Sequence, residues 1–388
     1  MRTLPRTART PPKTLAPSLR ALCAGLALAG LAACQVENPI DREDIGDAPR
    51  FEGCDLNTNF LIQAAARDGI HALDDPVWVQ AADSIPRYLE PDTRVIGVEV
   101  FETVYALPVN VLWYHEVVNL DPGGPLGPRI AITYCPLTGS SLVFDRASID
   151  GRRLAVSGLL FMNNMVLFDR AGADESLWPQ IMAEARCGNQ TGAMLARFPF
   201  VEMEWGEWLE LHPETRVLGG DQGFDPVTFD YTAHGYPYGT YRETEPFWRA
   251  ETTMPPLDRR RFSKERVVGL PPTDSDPGIA FPFGALTERE GAFQAVEFSF
   301  EGLDAVVLWS DGAQGGAAFR PVSEAGDPVT LRATPAGFED EETGSEWTVD
   351  GHAVSGSMSG ARLLPIARTH TAFWGAWAAF HPTTRLWE

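Results

Sequence analysis

Cysteine is scarce in this chain of 388 residues, which contains five. We expect Cys23 and Cys34 to belong to the leader and its processing site, so Cys54, Cys135 and Cys187 remain for the folded protein. Three thiols cannot all pair with one another, so at least one is free, bound to a ligand or joined to another molecule. Spacing alone does not show whether Cys54 and Cys187 are joined.

Basic charge and long hydrophobic runs are also limited. The chain has 31 Lys and Arg against 53 Asp and Glu. The leader and its processing site, at 1–34, contribute five of the basic residues and no acidic ones, so the remainder carries 26 − 53 = −27. This balance disfavours nucleic acid and anionic membrane surfaces as partners. No segment after the leader is long and apolar enough to span a membrane.

The leader itself has the pattern of a bacterial lipoprotein. A basic stretch precedes the apolar run at 21–33, which ends in Leu31-Ala32-Ala33-Cys34 and resembles a lipobox. We expect a signal peptide at 1–33, acylation of Cys34, and a tether at 34–59. The membrane would then be a partner through lipid, with no spanning helix. Because Gln35, and not Asp, follows Cys34, we favour the periplasmic side of the outer membrane; an ordinary secretory signal cut nearby is the alternative.

The remainder of the chain contains two copies of one pattern. Trp178 and Trp205 are separated by the same distance in sequence as Trp347 and Trp374. A second Trp follows one helical turn later in both copies, and then His-Pro-x-Thr-Arg, beginning at His212 and at His381. Two Trp on one face of a helix are more often core than a ligand site, and a His at a helix end interacts with the free carbonyls there. We therefore assign both features to the fold.

These patterns predict a β-rich α+β fold built from two tandem pseudo-repeats. Each repeat would contain a short helix, antiparallel strands and a closing Trp-rich helix. The predicted boundaries are 60–218 and 264–388, with a packed connector at 219–263 that is rich in Gly, Pro and Tyr. In the first repeat we expect one helix to hold both His115 and Asn119, and a hairpin turn at Asp150-Gly151.

Residues found in only one repeat are the better candidates for function. When 131–146 is aligned without a gap on 305–320, His115 corresponds to Arg289, Asn119 to Phe293 and Cys135 to Trp309. A thiol close to an imidazole can be a nucleophile with its base, which gives Cys135 and His115 as candidate catalytic residues. The same pair suits a soft or borderline metal such as Cu(I) or Zn(II). A third interpretation is that Cys135 is only a buried residue at a turn.

Four neighbouring polar residues are candidates for ligand binding around that pair. They are Glu116, Asn119, Thr138 and Asn164. For Asn164, a role in a turn is the alternative. A dithiol redox site is excluded in "CPLT", because Thr138 stands where the second thiol would be. The chain also lacks a phosphate-binding Gly loop, a nucleophile-elbow motif and a dinucleotide fingerprint.

A series of segments in fixed order is similar to one known family. The segments are "DGIHALDDPVWV", "RVIGVEV", "LWYHEVVN", "ITYCPLTGSSLVFDR", "VSGLLFMNNMVLFDR", "SKERVVGL" and "FWGAWAAFHPTTRLW". Over about 55–388 the chain resembles the bacterial and archaeal family called domain of unknown function 3179. The resemblance implies an exported or membrane-attached protein with no assigned reaction. The family's His-Glu pair and Cys-Pro segment correspond to His115, Glu116 and Cys135, whereas Thr138 replaces a second Cys found in many members.

Three functional hypotheses follow from the sequence. The first is a lipid-anchored envelope protein with a ligand-binding or metal-binding cleft centred on His115 and Cys135. The second is a thiol-dependent hydrolase or acyl-transferase in which Cys135 attacks and His115 acts as the base. The third is a structural or interaction protein of the envelope that performs no chemistry. A contact between His115 and Cys135 beside a cleft would favour the first two.

Overall fold

β-strands joined by tight turns form most of the computed structural model, which describes residues 54–124, 127–225, 228–232 and 236–388. The predicted signal peptide, Cys34 and most of the predicted tether lie outside these residues. All described residues belong to one compact unit. No helix in this part of the chain is long and apolar enough to cross a membrane. The β-rich α+β class predicted from the sequence is confirmed.

The first half contains fourteen strands and two α-helices in the described segments. They are β1 (Leu61–Gln63), β2 (Trp78–Gln80), β3 (Arg94–Val100), β4 (Thr103–Pro108), α1 (Val109–His115), β5 (Val117–Leu120), β6 (Ile130–Cys135), β7 (Ser140–Asp145), β8 (Leu154–Phe161), β9 (Asn164–Asp169), β10 (Ser176–Pro179), β11 (Cys187–Gly188), β12 (Ala196–Arg197), β13 (Val201–Glu204), α2 (Trp205–Leu211) and β14 (Arg216–Leu218).

The connector contributes α3 (Ala250–Thr253), and the second half again consists of short strands and short helices. Its elements are β15 (Arg266–Leu270), β16 (Ile279–Pro282), α4 (Phe283–Thr287), β17 (Phe293–Phe300), β18 (Leu303–Ser310), β19 (Gly315–Ser323), β20 (Leu331–Thr334), β21 (Gly337–Asp340), β22 (Glu346–Trp347), β23 (Leu363–Pro365), β24 (His370–Phe373), α5 (Trp374–Phe380) and β25 (Arg385–Leu386). Short 3-10 helices lie at Thr58–Phe60, Arg146–Ile149, Gly172–Asp174 and Gly239–Glu243.

Five sheets organise these strands. Two of them have the orders β13-β3-β4-β14-β2 and β25-β16-β15-β24-β7-β6-β5, and β12 also pairs with β7 in the second of these. The others are β1-β8-β9-β10-β11, β17-β18-β19-β23 and β20-β21-β22. Pairing of the described strands is antiparallel except between β4 and β14 and between β16 and β25. One sheet thus mixes strands of both halves, because β24 pairs with β7.

Equivalent hydrogen bonds lock the two halves together. The amide of Glu204 donates to the carbonyl of Ala313 at 2.8 Å, and the amide of Phe373 donates to that of Thr138 at 2.8 Å. Each bond joins the residue before a closing helix of one half to a hairpin of the other half. Surfaces between the halves are therefore built from residues that are distant in sequence.

The closing helices α2 and α5 have the same geometry. In each, the second Trp donates from its indole nitrogen to a Thr hydroxyl at 3.1 Å, from Trp208 to Thr215 and from Trp377 to Thr384. The Trp208 ring covers Gly97, where an added Cβ would lie 2.1 Å from the ring. A larger residue there would displace the ring, so this glycine is required by a close approach. The helical face predicted from the Trp spacing is confirmed as core.

Two local predictions for the first half are wrong. The first helix ends at His115, where Glu116 adopts a left-handed conformation with φ 57°, so Asn119 lies on β5 and does not share a helix face with His115. The β-branched Val117 and Val118 favour a strand at this point. The Asp150-Gly151 turn does not form a hairpin either, because β7 and β8 belong to different sheets.

Candidate functional site

His115 is fully buried at the C-terminal end of α1, and both of its ring nitrogens have partners. Nδ1 donates to the carbonyl of His71 at 2.8 Å, and Nε2 accepts from the hydroxyl of Tyr231 at 2.5 Å. Burial lowers the pKa of His115 to about 4, so the ring is neutral at physiological pH. Tyr231 of the connector thus occupies Nε2 of His115, the residue that the sequence suggested as a base or a metal ligand.

Cys135 is the free cysteine of the described residues and lies at the end of β6 with 1% of its surface exposed. Its thiol contacts the carbonyl of Asn163 at 3.8 Å. Burial, followed by the nearby charge of Glu116, raises the pKa of the Cys135 thiol to about 11. The thiol and the His115 ring therefore have separate hydrogen-bond partners, and no hydrogen bond joins the two side chains.

Glu116 differs from the other predicted ligand residues because its carboxyl group is buried without an ion pair to a described residue. It is 5% exposed, and burial raises its pKa to about 8. Its carboxyl group has no ion pair with a described residue, and its charge acts on Cys135 and on Tyr238. Glu116 and Cys135 are thus neighbours, but two groups of this kind do not make a complete metal site.

The other predicted ligand residues belong to internal hydrogen-bond networks. Asn164 donates to the Thr138 hydroxyl at 3.0 Å and to Gln180 Oε1 at 2.8 Å, and its own oxygen accepts from the amide of Ile181 at 2.9 Å. Asn119 donates to Asp74 at 2.7 Å. A network whose donors and acceptors are matched in this way fixes the fold.

A different cluster lies between the two halves. His212, at the end of α2, places Nε2 2.6 Å from Oδ2 of Asp350. Nδ1 of His352 lies 3.0 Å from the same oxygen, but without hydrogen-bond geometry. One donor atom from each of the three residues lies within 4.8 Å of the other two. The second half therefore supplies two potential metal ligands, and the first half supplies one.

The carboxylate of Glu99 orients His352 from the side away from Asp350. Its Nε2 lies 3.2 Å from a carboxylate oxygen of Glu99, and the other oxygen of Glu99 accepts from Arg362. A metal-binding histidine usually donates its second ring nitrogen to a carboxylate in this way, which fixes the tautomer and the ring orientation. The arrangement leaves Nδ1 of His352 facing Asp350 and His212.

Burial and the neighbouring polar groups act in opposite directions on the ionisation of this cluster. Burial alone would lower the pKa of His352, but the close carboxylates of Asp350 and Glu99 raise it to about 9. Burial would raise the pKa of Asp350, and the close imidazoles of His212 and His352 hold it far below its usual range. Without metal, His352 is thus an imidazolium between two carboxylates.

The cluster forms one wall of a cavity of about 360 Å³, which is within the usual size range of ligand pockets. The other walls are mainly apolar, and they include Phe101, Phe198, Phe200, Phe319, Leu363 and Ile366. Three protein ligands with an open side facing a cavity are typical of metal sites that bind or activate a further ligand. Two His and one carboxylate suit Zn(II) and also Fe(II).

A sequence model of the family described as "Protein of unknown function (DUF3179)" matches residues 67–384. The chain belongs to the DUF3179 family. The predicted resemblance is thereby confirmed. No curated protein and no solved structure matches this DUF3179 chain.

Sequence reasoning on this DUF3179 chain missed Asp350 and His352, although a signal for them was available. In the alignment that superimposes Trp347 on Trp178, Asp350 corresponds to Ile181 and His352 to Ala183. Both residues are therefore specific to the second half, which is the criterion that selected Cys135 in the first. His212 was interpreted only as a helix-end residue, because its partners come from the other half.

Proposed function

We propose that this DUF3179 protein is an exported, lipid-anchored envelope protein that binds a divalent transition metal at His212, Asp350 and His352. The observation that carries the proposal is the convergence of three donor atoms within 4.8 Å at the wall of a cavity. The metal-binding cleft expected from the sequence is thus proposed for a different place from His115 and Cys135.

The chemistry of the three donors favours Zn(II) or Fe(II) over Cu(I). Two imidazoles and one carboxylate are borderline to hard ligands, whereas Cu(I) prefers thiolate and thioether sulfur. The Cys135 thiol, which would suit Cu(I), is protonated at neutral pH because burial raises its pKa to about 11. A metal held by His212, Asp350 and His352 would retain a coordination position open to the cavity, where it could polarise a bound ligand.

Two features support export. Cys54 and Cys187 form a disulfide, and disulfides persist mainly in oxidising compartments. The leader ends in the lipobox-like Leu31-Ala32-Ala33-Cys34. Together they favour export with lipid on Cys34 as the attachment, and Gln35 after Cys34 favours the periplasmic side of a bacterial outer membrane. The acidic balance of the chain disfavours nucleic acid as a partner.

Metal analysis of the full-length protein, purified in detergent, tests the proposal. We expect the wild type, loaded with Zn(II) or Fe(II) and then desalted, to retain about one equivalent by mass spectrometry. Asp350→Asn and His352→Gln should lose it, because each removes one of three protein ligands. His381→Gln is the matched control, since His381 occupies the equivalent helix end of the second half. Retention of the metal by both ligand variants would overturn the proposal.

A further inference from the structure

A second cavity, of about 470 Å³, lies where the two halves meet the connector. It is separate from the proposed metal site, with which it shares no lining residue. Its lining contains three arginines, Arg94, Arg242 and Arg266, and none of them was selected from the sequence. Cavities of this size at the junction of structural units are common places for small ligands.

Two of the arginines share one carboxylate. Arg94 begins β3 and Arg266 begins β15, so they hold equivalent positions in the two halves. Arg94 Nε lies 2.6 Å, and Arg266 Nη1 lies 3.0 Å, from the same oxygen of the buried Glu202. Two guanidinium groups are thus balanced by a single negative charge, which leaves an excess of one positive charge at the floor of the cavity.

Arg242 comes from the connector and has no ion pair with any described carboxylate. It lies over the ring of Tyr236 at 4.3 Å and near that of Trp113 at 5.9 Å. Glu243, the next residue, acts on it only at longer range. Aromatic rings can hold a guanidinium in place, but they do not accept its hydrogen bonds as an anion does. Arg242 is therefore positioned and is available to an anionic group.

Two buried donors beside these arginines also have no acceptor. The indole nitrogen of Trp113, which lines the cavity, and the hydroxyl of Tyr134 donate no hydrogen bond to a described residue. Tyr134 is fully buried and lies against Arg266. A buried donor without an acceptor is costly, and native proteins normally satisfy it with water or a ligand. The guanidinium groups and the indole together suit a carboxylate, whereas Tyr134 does not line the cavity.

The same cavity has an acidic side. Glu204 is partly buried and forms no ion pair among the described residues, and the exposed Glu90 and Asp92 lie at the rim. Burial raises the pKa of Glu204, and the charge of Arg94 offsets this only in part. A simple anion would meet these three carboxylates as well as the arginines. A ligand that carries both a negative and a positive group could pair its negative group with the arginines and its positive group with the carboxylates.

We propose that this cavity binds a small zwitterion of the amino-acid class. The carboxylate of the ligand would lie on Arg242 and Arg266, with a further donor from Trp113. Its ammonium group would face Glu204. The site does not depend on metal at the other cavity.

Calorimetric titration of the full-length protein in detergent tests this assignment. The probes are the proteinogenic amino acids, a carboxylate without the amine (propionate), an amine without the carboxylate (ethylamine) and inorganic phosphate. We expect at least one amino acid to bind more tightly than all three single-charge probes. Absence of binding by every amino acid, or equal binding of propionate or phosphate, would overturn the proposal.

Two variants locate the binding. Arg242→Gln should weaken the binding of the amino acid by about 30-fold or more, as expected when one partner of a desolvated charge pair is removed. Glu204→Gln should weaken the amino acid but not propionate, because only the ammonium is affected. Arg216→Gln, at an exposed position outside the cavity lining, is the matched control. Circular dichroism establishes that each variant is folded, and unchanged binding by folded Arg242→Gln would refute the site.

Discussion

The charge on His352 makes a quantitative prediction about stability against pH in the metal-free protein. Its pKa is raised from 6.5 to about 9 by Asp350 and Glu99 in spite of burial. A raised pKa means that the folded state binds the proton more tightly than the unfolded state does. The stabilisation is therefore complete below pH 6.5 and is lost as the pH rises through about 9. The shift corresponds to about 3 kcal/mol.

The perturbation that isolates this contribution is His352→Gln. Glu116 and Lys264, whose pKa values are both moved to about 8, also titrate in this range. The useful quantity is therefore the difference in the free energy of unfolding between wild type and His352→Gln. We expect this difference to decrease by up to about 3 kcal/mol between pH 6.5 and pH 10. Urea denaturation in the presence of a chelator, followed by Trp fluorescence, measures it.

His381→Gln is the control for this experiment. Burial lowers the pKa of His381 to about 3, so the ring is neutral in the folded state throughout the range. Its difference from wild type should stay constant between pH 7.5 and pH 10, where the unfolded ring is neutral as well. If the curves of wild type and His352→Gln run parallel, His352 does not carry a charge between Glu99 and Asp350, and the description of the cluster is wrong.

Three further predictions concern Glu99, Cys135 and Cys34. Glu99→Gln should weaken metal binding by about 10–100-fold, because it removes the carboxylate that orients His352; competition with a chelating dye measures this, and unchanged affinity would contradict it. Native Cys135 should react with iodoacetamide at pH 7.5 far more slowly than in urea, since its pKa is about 11. Fast native alkylation would restore the nucleophile hypothesis. Cys34→Ala should release the protein from the membrane fraction, and retention would exclude a lipid anchor on that thiol.

Features set by local pattern could be predicted from the sequence. The closing helices begin at Trp205 and Trp374 and present the Trp face to the core, because the apolar spacing of three and four positions specifies a helix with one buried side. The same reasoning failed after His115. After His115 the sequence pattern is still compatible with a helix. In the structure the left-handed Glu116 ends the helix, and the β-branched residues that follow it form a strand.

Contacts made through the connector could not be predicted. Tyr231 occupies Nε2 of His115, and the Tyr236 hydroxyl donates to the carbonyl of Pro136 beside Cys135. The two candidates from the sequence thus meet different tyrosines of one segment. Nothing in the spacing of His115 and Cys135 indicates this, because the order in which a loop covers a surface depends on the whole packing.

The interlocked halves explain why His212 was not recognised from the sequence as a potential metal ligand. Within its own half, His212 is only the residue that ends α2. The hydrogen bonds from Glu204 to Ala313 and from Phe373 to Thr138 instead place the end of each half on the other. His212 consequently meets Asp350 and His352 across the junction of the two halves. A histidine at a helix end therefore has to be considered together with polar residues that are distant in sequence, because the junction brings them to one place.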